Sequence, residues 1–429
     1  MRLLLTLAAA MALAGAARAQ DPPAPAPEPP VEGSPPRRDA SGTPNVAAPG
    51  PTRDSATQAP TAGRAGHGSF EARLGYYHND DSDESNPFLD ERETVIEPVF
   101  IFSYDITDKV SVDASLSYDH VSSASIDRLS RYPEQSGASG DYYYGGDLGV
   151  RFRPTDDLRF GVTGGLSAEY DYRSLRAGGT AAVDLFDKNT TLSLGLNAFL
   201  DTVDIIRFNG SEAEGEDDRT TLSATLGWYQ VLSSTVHLDV GYTFTHQSGF
   251  LETAFNSVVL EDSTDLPNPF LENNARGVEI VEELPDTRLR HALFYEVRKY
   301  FDTGTAVGVG GRSYADSWGI LSQAVELRVY QWLVPDVLRI RARYRFYVQD
   351  GADDFQRHFR VPPGARAAFV ATQDRTQDSD LGPFNSHTLG LRLDWHVGGG
   401  HHLDLSFDYV LRSDGLDQVL VGFGWRWEF

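Results

Sequence analysis

Cysteine is missing altogether, methionine occurs only twice, and positive charge is scarce, with 37 Lys and Arg against 62 Asp and Glu over 429 residues. Without cysteine there is no lipobox to acylate, and its absence is compatible with passage through an oxidising periplasm. The net charge of −25 excludes nucleic acid as a partner, because such binding needs basic patches against phosphate. Long hydrophobic runs are missing too. No stretch approaches the roughly 18 apolar residues that a spanning helix needs, and the mean hydropathy is −0.35, so a helical membrane protein is excluded. What the chain has instead is 40 Gly and 11% aromatic residues, a composition that suits strands with one apolar and one wet face. The length would hold a few soluble domains or one large barrel.

The stretch Leu416–Phe429 (L-D-Q-V-L-V-G-F-G-W-R-W-E-F) shows the pattern most clearly. Val419, Val421, Phe423, Trp425, Trp427 and Phe429 occupy alternate positions, with Gln418, Gly422, Gly424, Arg426 and Glu428 between them. A period of two is a β-strand with one apolar face. In a membrane barrel those aromatics meet lipid while Gly and Arg meet a polar lumen. Phe423, Trp425, Trp427 and Phe429 therefore read as the terminal assembly signal of Gram-negative outer-membrane barrels, which makes the barrel assembly machinery an expected partner.

At the other end, Arg2, the apolar run Leu3–Ala16 and Ala17-Arg18-Ala19 form a secretory signal over 1–19, cleaved before Gln20. Residues 20–66 are rich in Pro and Ala and cannot bury enough apolar surface to fold, so they read as a disordered periplasmic tether. From 67 to 429 the alternation predicts an all-β fold, a single transmembrane antiparallel up-and-down barrel. Its strands fall at 69–79, 94–106, 109–122, 141–153, 158–171, 174–186, 190–202, 218–231, 235–247, 287–301, 304–315, 319–333, 337–349, 387–397, 402–412 and 416–429. That is about sixteen, an even number, as bacterial barrels have.

The connections agree with this order. Counted from a periplasmic N-terminus, the turns after even-numbered strands are short and built of turn residues, such as Thr107-Asp108, Asp187-Lys188-Asn189, Pro335-Asp336 and Gly398-Gly399-Gly400-His401. Long connections (80–93, 123–140, 204–217, 248–286 and 350–386) fall only on the opposite, extracellular side. Pro98 inside the second strand predicts a bulge or shifted register there.

Alternation also assigns the faces. Val110, Val112, Leu116, Tyr118; Leu192, Leu194, Leu196, Leu200; Val236, Leu238, Val240, Phe244; and Leu403, Leu405, Phe407, Tyr409 face lipid. Asp404, Ser406 and Asp408 lie on the polar face. A polar interior argues against a hydrocarbon or fatty-acid transporter. Arg339, Arg341, Arg343 and Arg345 all point inward from one strand, and parity adds Arg288, Arg290, Arg298, Arg328, Arg392 and Arg426. Inward carboxylates, among them Asp113, Asp147, Glu169 and Asp184, cluster mostly elsewhere, while Glu296, Glu326, Asp394 and Glu428 sit among the arginines. One reading is a channel whose basic wall faces an acidic wall of Asp113, Asp147 and Glu169, setting a transverse field. The other is that these charges pair across strands and fill a narrow interior.

The first outer loop carries Asp80, Asp81, Asp83, Glu84 and Asp90. They are oxygen ligands of the kind that hold Ca²⁺ or bridge lipopolysaccharide through divalent cations, although the spacing is not an EF-hand. A solvated acidic loop is the plainer reading. Phe250, Leu251 and the Pro267–Phe270 segment give the longest loop apolar anchors, to fold into the mouth or cover it. No phosphate loop, nucleophile elbow or zinc motif is present. His237, His246 and His291 have no Ser partner in order, so no enzyme is expected and no cofactor beyond loop Ca²⁺.

The stretches at 108–127, 189–196 (N-T-T-L-S-L-G-L), 249–258 (G-F-L-E-T-A-F-N-S-V), 288–293 (R-L-R-H-A-L), 314–320 (Y-A-D-S-W-G-I) and 343–350 (R-Y-R-F-Y-V-Q-D) resemble those of the bacterial family known as domain of unknown function 3570. The resemblance implies an outer-membrane barrel in lipid and lipopolysaccharide, and supplies no activity. The expected function is a porin-like channel for small polar or charged solutes, a trimer being the arrangement that porins of this strand number suggest. The alternative is a closed barrel acting as a surface scaffold or receptor, or as partner of a secretion or electron-transfer system, through its long loops.

Overall fold

The computed structural model describes residues 65–81, 87–88, 92–123, 139–169, 171–209, 214–269, 271 and 274–429. The signal segment and residues 20–64 of the tether lie outside them. In chain order the strands are β1 (Gly68–Asp81), β2 (Arg92–Asp105), β3 (Val110–Ser123), β4 (Ser139–Phe152), β5 (Leu158–Ala168), β6 (Tyr172–Leu185), β7 (Thr190–Asp204), β8 (Glu216–Ser233) and β9 (Val236–Gly249). Then come β10 (Ser257–Glu261), β11 (Val278–Val281), β12 (Thr287–Phe301), β13 (Thr305–Asp316), β14 (Leu321–Val334), β15 (Leu338–Gln349), β16 (Phe359–Arg360), β17 (Phe384–Gly398), β18 (His401–Arg412) and β19 (Leu416–Glu428).

Leaving out β10, β11 and β16, the strands form one closed antiparallel barrel in chain order, and β19 closes it against β1. Ser69 stands opposite Glu428 and Tyr76 opposite Val421 in that closing pair. Phe429 extends it, its N–H donating to Gly68 O at 2.9 Å and its carbonyl accepting from Gly68 N at 2.8 Å. Every barrel strand expected from alternation is present, most within two residues of its expected ends. Closure follows from the chemistry: an open edge of unpaired N–H and C=O groups cannot be tolerated in lipid.

Pro98 produces no bulge. β2 pairs with β1 without interruption, Leu74 facing Pro98. Against β3 the ladder omits Glu97 and Pro98 and resumes in the same register, Ile96 opposite His120 and Val99 opposite Ser117. The missing N–H removes a local contact, and the pairs on either side keep the strand in line. Of the expected turn residues, Asp187, Lys188 and Asp336 are left-handed, with φ of 53°, 65° and 60°, and Phe186, expected to end its strand, joins them at 52°.

The exterior is apolar and bare. Leu116, Leu192, Leu194, Leu196, Leu200, Leu405 and Phe407 are each between 40% and 56% exposed, far more exposed apolar surface than a soluble monomer presents. Exposed Phe102, Phe152, Phe160, Trp228, Phe301, Trp395 and Trp427 ring the short-turn end, and Tyr76, Tyr144, Tyr242 and Tyr344 stand toward the long-loop end. Two aromatic girdles around an apolar band are the signature of a barrel that crosses a bilayer.

At the long-loop end, connections 250–286 and 350–383 fold together into a cap. β10 pairs antiparallel with β11 and parallel with β16, and a short helix α1 (Arg366–Thr372) packs over them. Val258, Leu260, Phe359 and Val361 form its core with Ile280 and Phe369. Leu251 and Leu284 meet Trp318, Ile320 and Ala352 where the cap joins the barrel. The apolar anchors Phe250 and Leu251 are buried, whereas Phe270 lies outside the described residues.

Candidate functional site

The inward face of β15 repeats one residue type. Arg341 and Arg343 are 3% and 7% exposed in a barrel whose outward side chains stand bare, so protein on the inside covers them. Most guanidinium groups of this region lie beside a carboxylate, on the same strand or on a neighbouring one. Glu296 lies between Arg298 (2.6 Å) and Arg328 (2.8 Å). Arg328 also meets Glu326, which stands opposite Arg345 in register. Arg343 Nη2 is 2.9 Å from Asp408 Oδ1. Asp394 takes Arg339 at 3.1 Å and Arg392 at 2.8 Å, and Arg392 reaches Asp404 at 3.4 Å.

The result is an ionic belt across β12, β14, β15, β17 and β18. Its positive members are Arg298, Arg328, Arg339, Arg341, Arg343, Arg345 and Arg392; its negative members are Glu296, Glu326, Asp394, Asp404 and Asp408. Among these twelve residues the positive members outnumber the negative by two. Glycine makes room for the acids: a methyl at Gly390 would run into Asp408 Oδ1, and one at Gly424 into Asp404 Oδ2. Buried ion pairs of this kind add little net stability over apolar packing, because each charge is removed from water. Their concentration on one wall is therefore better read as a property of the bore than as a device for holding the barrel shut.

The opposite wall differs from the sequence expectation. Asp113 is gripped by Arg151 through Nε (2.6 Å) and Nη2 (2.8 Å). Asp147 pairs with Arg176 and accepts from Ser115 Oγ at 3.1 Å. Asp184 takes both Arg159 nitrogens, at 2.5 and 2.7 Å. The acidic wall thus carries its own arginines, and a simple transverse field between a basic and an acidic side is not the arrangement. The same parity that identified the ladder places Arg151, Arg159 and Arg176 inward; the alternation held that signal. Glu169 lies past the end of β5, its N–H donating to Tyr172 O at 2.7 Å, at the rim rather than beside the ladder.

Between these pairs, β5 to β8 present small residues inward: Gly161, Thr163, Gly165, Gly178, Thr180, Ser193 and Gly227. Their shared face is fixed by contact, since a methyl at Gly178 would touch Thr163 Oγ1 and Asn197 Oδ1, and one at Gly165 would strike Asp147. Thr163, Thr180 and Ser193 are exposed although they point inward. An inward side chain is exposed only where the bore is not filled. The lumen is eccentric, with long guanidinium side chains on one wall and a smooth strip of Gly, Thr and Ser on the other.

The remaining expected residues lie at the two ends. Arg426 pairs with Glu428 at 2.8 Å near the short-turn rim. Phe423 and Trp427 are outward and exposed, and Trp425 lies edge-on to Phe70 at 5.9 Å. At the mouth, Arg288 binds Asp316 at 2.5 Å and covers Trp318 at 4.1 Å, and Arg290 donates to Tyr314 OH at 2.9 Å and Gln247 Oε1 at 3.4 Å. Both help to wall a cavity of about 90 Å³ beneath the cap. Of the acidic loop, Asp80 and Asp81 end β1, Asp81 being 6% exposed; Asp83, Glu84 and Asp90 lie outside the described residues. Among the described residues no three His, Asp or Glu side chains come together as metal ligands.

Residues 141–419 match the family described as protein of unknown function (DUF3570). The chain belongs to the DUF3570 family. No curated protein sequence matches it. Among solved structures, this DUF3570 barrel is similar to a bacterial polysaccharide outer membrane secretin at 9% identity and TM-score 0.47, covering 86% of this chain and 99% of that one. A loop-deletion form of OmpT, an outer membrane protein of Vibrio cholerae, gives 10% identity and TM-score 0.39 over 85% and 100% of the two chains. OpdK of Pseudomonas aeruginosa, solved with vanillate, gives 8% and 0.38 over 85% and 98%. The ionic belt of the DUF3570 barrel has to be read from its own residues.

Proposed function

We propose that this DUF3570 protein is an outer-membrane channel for small polar or charged solutes, with its short turns and N-terminus in the periplasm. The observation that carries this reading is the unfilled strip beside Thr163, Thr180 and Ser193, facing a belt whose positive members outnumber its negative ones by two. A solute moving along the strip would slide past hydroxyls and backbone while its polar groups exchange partners with the guanidinium wall. Paired carboxylates keep each arginine from binding an anion too tightly, which a conducting path requires. Substitution of Thr180 and Ser193 together by Trp places two indoles in the strip. Single-channel recording in planar bilayers should then show conductance reduced by more than half in a barrel that still folds. Wild-type barrel that is folded and gives no conductance would sink the channel reading.

The cap favours a second reading. Two loops that build their own apolar core and three-stranded sheet are more structure than a passive rim needs, and a surface receptor would use them. Deleting 254–281 in favour of a short linker separates the two: a channel keeps or raises its conductance, and a receptor loses its partner with no change in current.

A further inference from the structure

The cavity beneath the cap has two chemically distinct sides. Its lower wall is built from inward side chains of the barrel and contributes Arg219, Arg288, Arg290 and Arg312. Its roof comes from the cap and contributes Glu252, Glu282, Asp378 and Asp380. Several of these groups are also held from outside the lining, where Arg207 and Arg412 carry the further carboxylates Glu214 and Asp414. Arg219 pairs with Asp201 at 3.1 Å and Arg288 with Asp316 at 2.5 Å, while Glu252 meets Arg207 at 3.1 Å and Asp380 meets Arg412 at 2.5 Å. Within the lining, positive and negative charges are equal in number, the first from the barrel and the second from the cap.

A ligand with net charge would leave one side of this covered space uncompensated, at a cost that rises as water is excluded. A dipolar ligand of zero net charge would complete both sides. We propose that the cavity binds a small zwitterion of the amino-acid class, its carboxylate toward the barrel arginines and its ammonium toward the cap carboxylates. Leu251, Leu284, Ile320 and Leu381 also line the space and would receive a short apolar side chain. The inference deepens the channel reading, since it names the solute class that the mouth would admit.

Propionate is alanine without its ammonium group, and ethylammonium is alanine without its carboxylate. Each is titrated calorimetrically into the full barrel in lipid nanodiscs. Alanine should bind at one site, with propionate and ethylammonium at least ten-fold weaker, because each lacks one of the two charges. Arg290→Gln should weaken alanine about ten-fold while the circular dichroism of the barrel is unchanged, and Glu282→Gln should do the same from the roof. Equal binding of all three probes, tighter binding of propionate than of alanine, or no alanine binding to folded barrel overturns the proposal. A barrel that conducts and binds no alanine refutes this site and leaves the channel standing; one that binds alanine and passes no current does the reverse.

Discussion

Arg343 and Asp408 form a buried pair inside the belt, 7% and 5% exposed and 2.9 Å apart, and they allow stability and selectivity to be separated. Arg343→Gln leaves the Asp408 carboxylate in place without its closest cation. Removing one partner of a buried pair costs about 3–5 kcal/mol; Arg341, two residues along the same face, compensates in part, so the lower end, about 3 kcal/mol, is expected. Asp408→Asn added to Arg343→Gln removes the stranded charge while keeping an acceptor, and should recover about 1–2 kcal/mol through the coupling between neighbours. The belt's excess charge follows a different order: it falls by one unit in Arg343→Gln, rises by one in Asp408→Asn and returns to the wild-type value in the double variant. Urea midpoints in lipid vesicles, read by tryptophan fluorescence, give the first series, and reversal potentials under a salt gradient give the second. Asp408→Asn should move the reversal potential toward anions, and the double variant should match wild type. The reasoning is refuted if the double variant is no more stable than Arg343→Gln alone, or if Asp408→Asn shifts selectivity toward cations.

Other consequences follow from the same geometry. Gly390→Ala drives a methyl into Asp408 and should cost about 1–3 kcal/mol by overpacking, seen as a lower urea midpoint; an unchanged midpoint means the carboxylate has room to move. Arg375, 0% exposed, donates to the carbonyls of Val281 (3.1 Å), Val370 (3.2 Å) and Gln373 (2.7 Å). At about 1.5–3 kcal/mol for a charged hydrogen bond, Arg375→Ala should open the cap, making 362–376 sensitive to protease while the barrel resists. Burial pushes the Glu252 carboxyl above its ordinary value of 4.5, against the opposing pull of Arg207. The folded loop therefore takes up a proton before the opened loop does. Closure gains stability as pH falls from the raised value toward 4.5, whereas above it the ionised group carries its full desolvation cost. Hydrogen exchange at 250–256, corrected for intrinsic rates, should show opening become harder on acidification in wild type and stay flat in Glu252→Gln; easier opening in wild type would contradict this.

Much of the barrel was legible because a transmembrane strand obeys a single local rule. Leu192, Leu194, Leu196 and Leu200 reveal their strand without knowledge of any other residue, and the turn residues around Asp187 and Asp336 mark where one strand ends. Parity assigned Arg341 and Arg343 inward for the same reason. The bulge expected at Pro98 did not occur because ladder pairs on both sides outweigh one missing N–H. Arg151, Arg159 and Arg176 were equally legible by parity; reading their strands for carboxylates alone left the far wall looking acidic.

The sequence by itself determined the strands, their number, the apolar exterior and the side of the barrel on which the long loops gather, since each depends on alternation or turn chemistry within a few residues. Only the tertiary structure decided what the charges do. Arg343 meets Asp408 from 65 positions further along the chain, and which inward acid reaches which inward arginine depends on the register between strands. The cap and its cavity are further from local rules still: β10 and β16 pair across about a hundred residues, and Glu282 accepts from Thr376 Oγ1 at 2.6 Å. Such contacts form when loops with weak local preferences bury their few apolar residues together, and one strand's alternation contains no trace of that choice.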